Sequence, residues 1–212
     1  MNKVKVNIVD FSPKSPLKKE FLLRSMDFID SEKASEAENS KYHLMLVDNV
    51  EDIAQLILHL RAMSKKNHRS IVILMYPELY QSTTVFNLLD SGASLVLDFE
   101  RTSFLDQVIR ENIDRWETIE SLLHSSYVKE NLVGESAVWK NTLREIIEIA
   151  VFTNSSILIE GESGCGKEKL SKLVHHFDTR KDKAKFTLVD CATLSKDLSG
   201  SEFYGHEKGA FT

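Results

Sequence analysis

The sequence is sparing with residues that break a chain or staple it. Among 212 residues there are only 3 prolines, 8 glycines and 2 cysteines. Cys165 and Cys191 are too few for a disulfide framework. No apolar run approaches the ~20 residues that a membrane span needs, which excludes a membrane-spanning reading. The opening residues, MNKVKVNIVD, alternate like a strand and lack the long apolar segment of a signal peptide. The expectation is therefore a cytoplasmic chain without a membrane partner. A basic surplus is also missing: the formal net charge is −5 at pH 7 and the pI is near 5.8. That balance argues against a large nucleic-acid surface and against direct DNA binding. His175 and His176 have no Cys or carboxylate at zinc spacing and read as helix-face residues rather than metal ligands. The remainder, 42% hydrophobic and 28% charged, is ordinary for globular protein and enough for one large domain or two small ones.

Three of the eight glycines gather within six residues. Ile157, Leu158 and Ile159 form an apolar run suited to a buried strand, and Gly161, Gly164 and Gly166 follow, then Lys167. Leu170, Leu173, Val174 and Phe177 then recur at helical spacing. Strand, glycine-rich turn, lysine and helix form the context of a phosphate loop. Glycines let backbone N–H groups approach anionic oxygens, the helix opening at Gly166 offers its positive end, and Lys167 adds a point charge. The candidate ATP-binding residues are Gly161, Glu162, Ser163, Gly164, Cys165, Gly166, Lys167 and Glu168. Most such loops place Ser or Thr after the lysine to hold magnesium, and Glu168 stands there instead, so an ATP and Mg2+ site is expected to be weak or incomplete. Cys165, beside a helix N-terminus, reads as a small tolerated side chain, with a reactive thiol as the alternative.

GESGCGKE resembles the nucleotide loop of the sigma-54-dependent transcription activators, the NtrC-type branch of the AAA+ ATPases. LVGES at 132–136 is similar to the family's opening segment, DCATL at 190–194 to its second strand and turn, and SEFYGHEKGAFT at 201–212 to the start of its sigma-54 contact loop. The resemblance covers 132–212. It implies that Val133 and Gly134 line the adenine pocket. It also implies that Gly209, Ala210, Phe211 and Thr212 belong to the loop that touches sigma-54 RNA polymerase. Within these residues, Val138, Leu143, Ile146, Ile147 and Ala150 predict a helix before the loop, and Phe186 to Asp190 a second strand. No later strand ends in the acidic pair that would hold magnesium and polarise water, so nucleotide binding without significant hydrolysis is expected, from a regulator cut short inside its sigma-54 interaction domain.

The first half alternates strand and helix patterns. Val4 to Asp10, Leu44 to Val47, Ile71 to Met75 and Leu95 to Leu97 read as strands, with a short strand or only loop between 29 and 43. Ser15 and Pro16 start a helix carrying Leu17, Phe21, Leu22 and Phe28. Ile53, Leu56, Ile57, Leu60 and Met63 predict a second helix, and Val85, Leu88 and Leu89 a third. This alternation implies an α/β fold, a doubly wound parallel sheet, with chemistry at the carboxyl ends of its strands. Asp10 and Asp48 fall there and could share a magnesium ion. The segment resembles a response-regulator receiver domain, with Asp48 at the phospho-acceptor position. Phe11 replaces the family's second acid, Met75 its hydroxyl residue and Phe99 its lysine. A phosphoryl group on Asp48 would lack its charge pairing, so the reading is a receiver-like domain that does not signal by phosphorylation, with a phosphorelay through Asp48 as an alternative.

From Ser103 no Pro or Gly occurs until Gly134, and one long helix is predicted. Leu105, Ile109, Asn112, Trp116, Ile119 and Leu123 follow a four–three alternation that suits a coiled-coil seam and a dimer. In the competing reading, Leu105, Val108 and Ile109 pack on the sheet and the remainder is an exposed amphipathic connector. Tyr127 to Asn131 reads as a hinge. The expected organisation is a receiver-like domain over 1–102, a connecting helix and hinge over 103–131, and an incomplete AAA+ domain over 132–212. The second functional reading is a non-enzymatic interaction or dimerisation module acting on full-length regulators.

Overall fold

The structure, a computed structural model, describes residues 4–11, 16, 20–21, 24, 29–31, 40–65 and 68–190. Five parallel strands occupy the first half: β1 (Val4–Asp10), β2 (Ile29–Ser31), β3 (Tyr42–Val47), β4 (Arg69–Leu74) and β5 (Leu95–Asp98). Their spatial order is β2-β1-β3-β4-β5, the doubly wound arrangement of flavodoxin-like sheets. The expected parallel sheet is thus present, and the uncertain element between 29 and 43 includes a three-residue edge strand. Its pairing runs from Val4 opposite Ile29 to Val6 opposite Ser31.

Every residue of β3 is buried, as a strand covered on both faces requires. On one face Met45, Val47, Val72, Leu74 and Val96 pack with Leu56 and Leu60 of α1 (Ile53–Ser64) and Leu88 of α2 (Ser82–Asp90). Side chains alternate across a strand, so Tyr42, Leu44 and Leu46 point to the opposite face. There Tyr42 stacks on Trp116 of α3 (Leu105–Leu123), with ring centroids 6.0 Å apart. The Arg69 guanidinium lies 5.8 Å from the Trp116 ring centre, a cation–π contact that reinforces the stack.

The long helix therefore spends its apolar stripe inside the chain. Ile109, Ile113, Trp116, Ile119 and Leu123 are all buried. Asn112, expected to set the register of a coiled coil, donates its side-chain amide to the Val108 carbonyl of its own helix at 2.8 Å. The helix also stops earlier than expected. It ends at Leu123, and Ser125 caps a separate helix, α4 (Ser126–Asn131), by accepting from the Val128 N–H. The segment read as a hinge is thus helical: Ser125 offers N-cap chemistry and Val128 is buried.

The chain divides into two compact units, Met1–Thr118 and Ile119–Thr212, so α3 contributes to both. In the second, α5 (Ala137–Phe152) is capped by Ser136 and packs on α6 (Lys167–Phe177), burying Leu143, Ile146, Ile147, Ala150, Leu170 and Leu173. The two expected strands are not formed: neither 157–159 nor 186–190 has strand structure, and among the described residues of this unit there is no strand. A parallel strand exists only with a ladder neighbour. Lacking one, Leu158 stays 82% exposed and Leu188 61% exposed despite their apolar character. No helix among the described residues is long and apolar enough to cross a membrane.

Leu60 and Leu58 test this packing against each other. Leu60→Ala, at a fully buried site, should lower unfolding free energy by about 2–5 kcal/mol in a denaturant titration. Leu58→Ala, on the exposed face of the same helix, should stay within about 0.5 kcal/mol.

Candidate phosphate-binding site

The glycine cluster forms a turn that ends as the N-terminus of α6. Cys165 N–H donates to the Glu162 carbonyl at 3.4 Å, closing the turn, and Leu170 N–H donates to Gly166 at 3.1 Å, opening the helix. Gly164 and Gly166 have φ of +79° and +92°, a region in which an L side chain is strained. A Cβ on either would meet nothing within 4 Å, so the backbone conformation, not crowding, calls for glycine there. Lys167 folds back over the turn. Its ammonium donates to the carbonyls of Gly161 at 2.8 Å and Glu162 at 2.7 Å, with Cys165 Sγ 3.9 Å away. An ammonium has three donors, so the one facing the weakly accepting sulfur is the one a phosphate oxygen could claim. The first N–H groups of a helix have no intrahelical partner and face the same region with the positive end of the dipole.

The remaining predicted residues are placed as follows. Glu162, Ser163 and Cys165 lie exposed in the turn. Glu168, one residue into α6, forms an ion pair with Lys172 at 2.6 Å. A carboxylate so engaged does not replace the missing magnesium-binding hydroxyl. Among the described residues no group of three or more His, Cys, Asp or Glu could hold a metal. The donor set of the turn suits phosphate, and Glu168, paired with Lys172, is not offered to a magnesium ion. Val133 is 89% exposed, and Gly134 lies beneath Trp139, whose Cδ1 would be 2.5 Å from a Cβ there. Gly209, Ala210, Phe211 and Thr212 fall outside the described residues, as do 191–194.

The far end of α6 is held by cations and rings. Lys183 donates to the carbonyls of His175, His176 and Asp178, a C-terminal cap by a positive group. His176 stacks on Tyr127 of α4 at 3.7 Å, and His175 meets Phe186, so both histidines sit on helix faces as their spacing suggested. Elsewhere in this unit the Arg144 guanidinium pairs with Glu120.

At the carboxyl edge of the sheet, Asp10 and Asp48 are both half-buried. The three positions around them that differ from a receiver are filled with apolar groups. Phe11 meets His59 edge-on, Met75 is 1% exposed, and Phe99 meets Phe21 edge-on. Each is also fixed by its backbone: Phe11 N–H donates to Leu46, Met75 to Val47 and Phe99 to Leu74. Burial also pulls the His59 pKa down. The sequence reading overlooked Asp98, which is buried at the end of β5. One carboxylate oxygen accepts from Glu100 N–H at 2.9 Å and Arg101 N–H at 3.0 Å, and the other lies 3.5 Å from the Arg101 guanidinium. The signal for it was an Asp at the start of a turn, where its side chain bonds the backbone two and three residues on.

Comparison with known proteins follows the second unit. Residues 132–212 match the family described as the Sigma-54 interaction domain. The Nif-specific regulatory protein of Rhizobium leguminosarum bv. trifolii is 49% identical over 81 residues, which are 38% of this chain and 22% of that protein. The transcriptional regulatory protein ZraR of Salmonella typhi is 37% identical over 117 residues, 55% of this chain and 25% of that protein. The chain thus spans a quarter or less of the length of these two relatives. Among solved structures, NtrX from Brucella abortus is 18% identical with a TM-score of 0.44, over 95% of this chain and 46% of that one. The fold of the first unit rests on its strand order and not on that likeness.

One pH effect follows from the end of α6. The Arg180 side-chain hydrogen bonds, with its backbone N–H and charge, hold Asp178 at about 2 against an ordinary 3.8. The stabilisation is present above 3.8 and is lost as the pH falls through about 2. Arg180→Ala should return the Asp178 midpoint towards 3.8 in a carboxyl-carbon NMR titration.

Proposed function

We propose that this chain is part of a sigma-54-dependent transcriptional activator, joining a receiver-like unit to part of a nucleotide-binding sigma-54 interaction domain over residues 132–212. The observation that supports nucleotide binding most is the loop itself: two glycines at positive φ and a lysine seated over the turn at a helix N-terminus. In this reading Gly161 to Glu168 cradle the phosphates of ATP, with Val133 and Gly134 beside the adenine. Magnesium arrives on the phosphates. Gly209 to Thr212 contact sigma-54 RNA polymerase.

The receiver-like unit, in the same proposal, does not switch by phosphorylation. A phosphoryl group on Asp48 pulls a neighbouring hydroxyl and lysine towards itself when those groups exist. Buried Met75 and ring-packed Phe99 offer neither. Acetyl phosphate with magnesium should leave the thermal midpoint of the chain unchanged, and a shift abolished by Asp48→Ala would restore the phosphorelay reading. Self-association through the connecting helix has to engage residues outside the expected seam, because Ile109, Trp116, Ile119 and Leu123 are covered within the chain.

Exposed Leu158 and Leu188 favour a second reading, a non-enzymatic interaction module that pairs with full-length regulators. Calorimetry with ATP and magnesium separates the two. Lys167→Ala should weaken binding at least tenfold, about 1.4 kcal/mol. Equal and negligible heat from both proteins would favour the interaction module.

A further inference from the structure

At the amino edge of the sheet, away from Asp10 and Asp48, two histidines meet. His43 of β3 is 2% exposed, and its ring lies beside that of His68, with centroids 5.0 Å apart and planes 10° from parallel. Polar contacts converge on the buried ring. His43 Nδ1 is 3.2 Å from the Asn7 amide nitrogen. His43 Nε2 is 3.0 Å from the Ser40 carbonyl and 2.9 Å from His68 Nδ1. A carbonyl only accepts, so Nε2 carries the proton and Nδ1 accepts from Asn7. His68 Nδ1 then accepts from the same N–H, and His68 holds its own proton on Nε2.

We propose that His43 and His68 form a one-proton relay that rewires the amino edge of the receiver-like sheet as the pH falls. When one proton enters, the Nε2 proton of His43 crosses the 2.9 Å to His68 Nδ1, and the entering proton resides on His43 Nδ1. Asn7 turns its amide so that its oxygen accepts there. The pair gains one proton and one charge, which sits on the half-buried His68 because desolvation opposes it on the buried His43. The Ser40 carbonyl loses its donor. Ser40 joins β1 to β3, its hydroxyl donating to the carbonyls of Lys5 and Tyr42.

The surroundings limit the pair to a single proton. Among the described residues, the ionisable groups carried at this end of neighbouring elements are Lys5 on β1, Lys41 ahead of β3, Arg61 in the last turn of α1, Lys65 past it, Arg69 on β4 and Asp90 at the exposed end of α2. These cations oppose a second charge, while the carbonyl end of α1, where Met63 accepts from His68 N–H, favours the first. The change reaches the connecting helix through sequence neighbours of the pair: Tyr42 and Arg69 are the residues that hold Trp116.

The test is imidazole nitrogen NMR on the full chain labelled with 15N-histidine, titrated from about pH 8 to about pH 5, the ordinary imidazole range. The expected result is a change of His43 from the Nε2–H to the Nδ1–H tautomer at the same midpoint at which His68 becomes doubly protonated. In His68→Asn, His43 should remain Nε2–H throughout. Two results would overturn the relay: His43 keeping its Nε2 proton while His68 titrates, or His43 itself becoming doubly protonated.

Discussion

The ammonium of Lys167, bonded to the carbonyls of Gly161 and Glu162, is the interaction on which the functional half depends. Carbonyl oxygens turned inward repel one another and would repel an incoming phosphate. A cation held between them cancels that repulsion and leaves the positive helix end and the remaining ammonium donor to face outward. Gly164 and Gly166 reach their left-handed conformations without steric cost, so the turn is held ready before any ligand arrives. Cys165 and Glu168 sit within this frame without completing it. The sulfur accepts weakly, and the carboxylate is engaged with Lys172.

The first unit solves a different problem. Its sheet is covered on both faces, and its carboxyl edge holds hydrophobic groups at three positions where a phosphorylation switch carries an acid, a hydroxyl and a lysine. Those groups are integral to the packing: Met75 is buried and hydrogen-bonded by its backbone to β3. In the proposed reading such a unit holds the connecting helix and does not respond to phosphate. The contacts that hold the helix, Tyr42 and Arg69 on Trp116, lie at the opposite edge, next to the histidine pair.

Much of this was legible in the sequence because it is local. The apolar runs of β3, β4 and β5, the spacing of Leu56 and Leu60, and the glycine–lysine turn all follow from neighbouring residues. The failures are non-local. Ile157 to Ile159 has strand chemistry, but a strand needs a neighbour, and the described part of its unit supplies none. Leu105 to Leu123 fits a coiled-coil seam, yet an apolar stripe can equally be covered within its own chain; the stack of Trp116 on Tyr42, a pair 74 residues apart by number, is a contact that no local spacing marks. The His43–His68 contact joins the start of β3 to the residue before β4, and no spacing rule marks it. Asp98 is local turn chemistry, its carboxylate accepting from the N–H groups two and three residues on.

The central claim is that the backbone between Gly161 and Lys167 receives a triphosphate. The most direct measurement is amide NMR of the 15N-labelled chain during a titration with ATP and magnesium, which reads the N–H groups themselves. The account predicts saturable shifts concentrated at Gly164, Gly166, Lys167 and the first turn of α6. Loop amides that stay at their starting positions at millimolar ATP, in a sample whose α5 and α6 resonances show a folded unit, would contradict it.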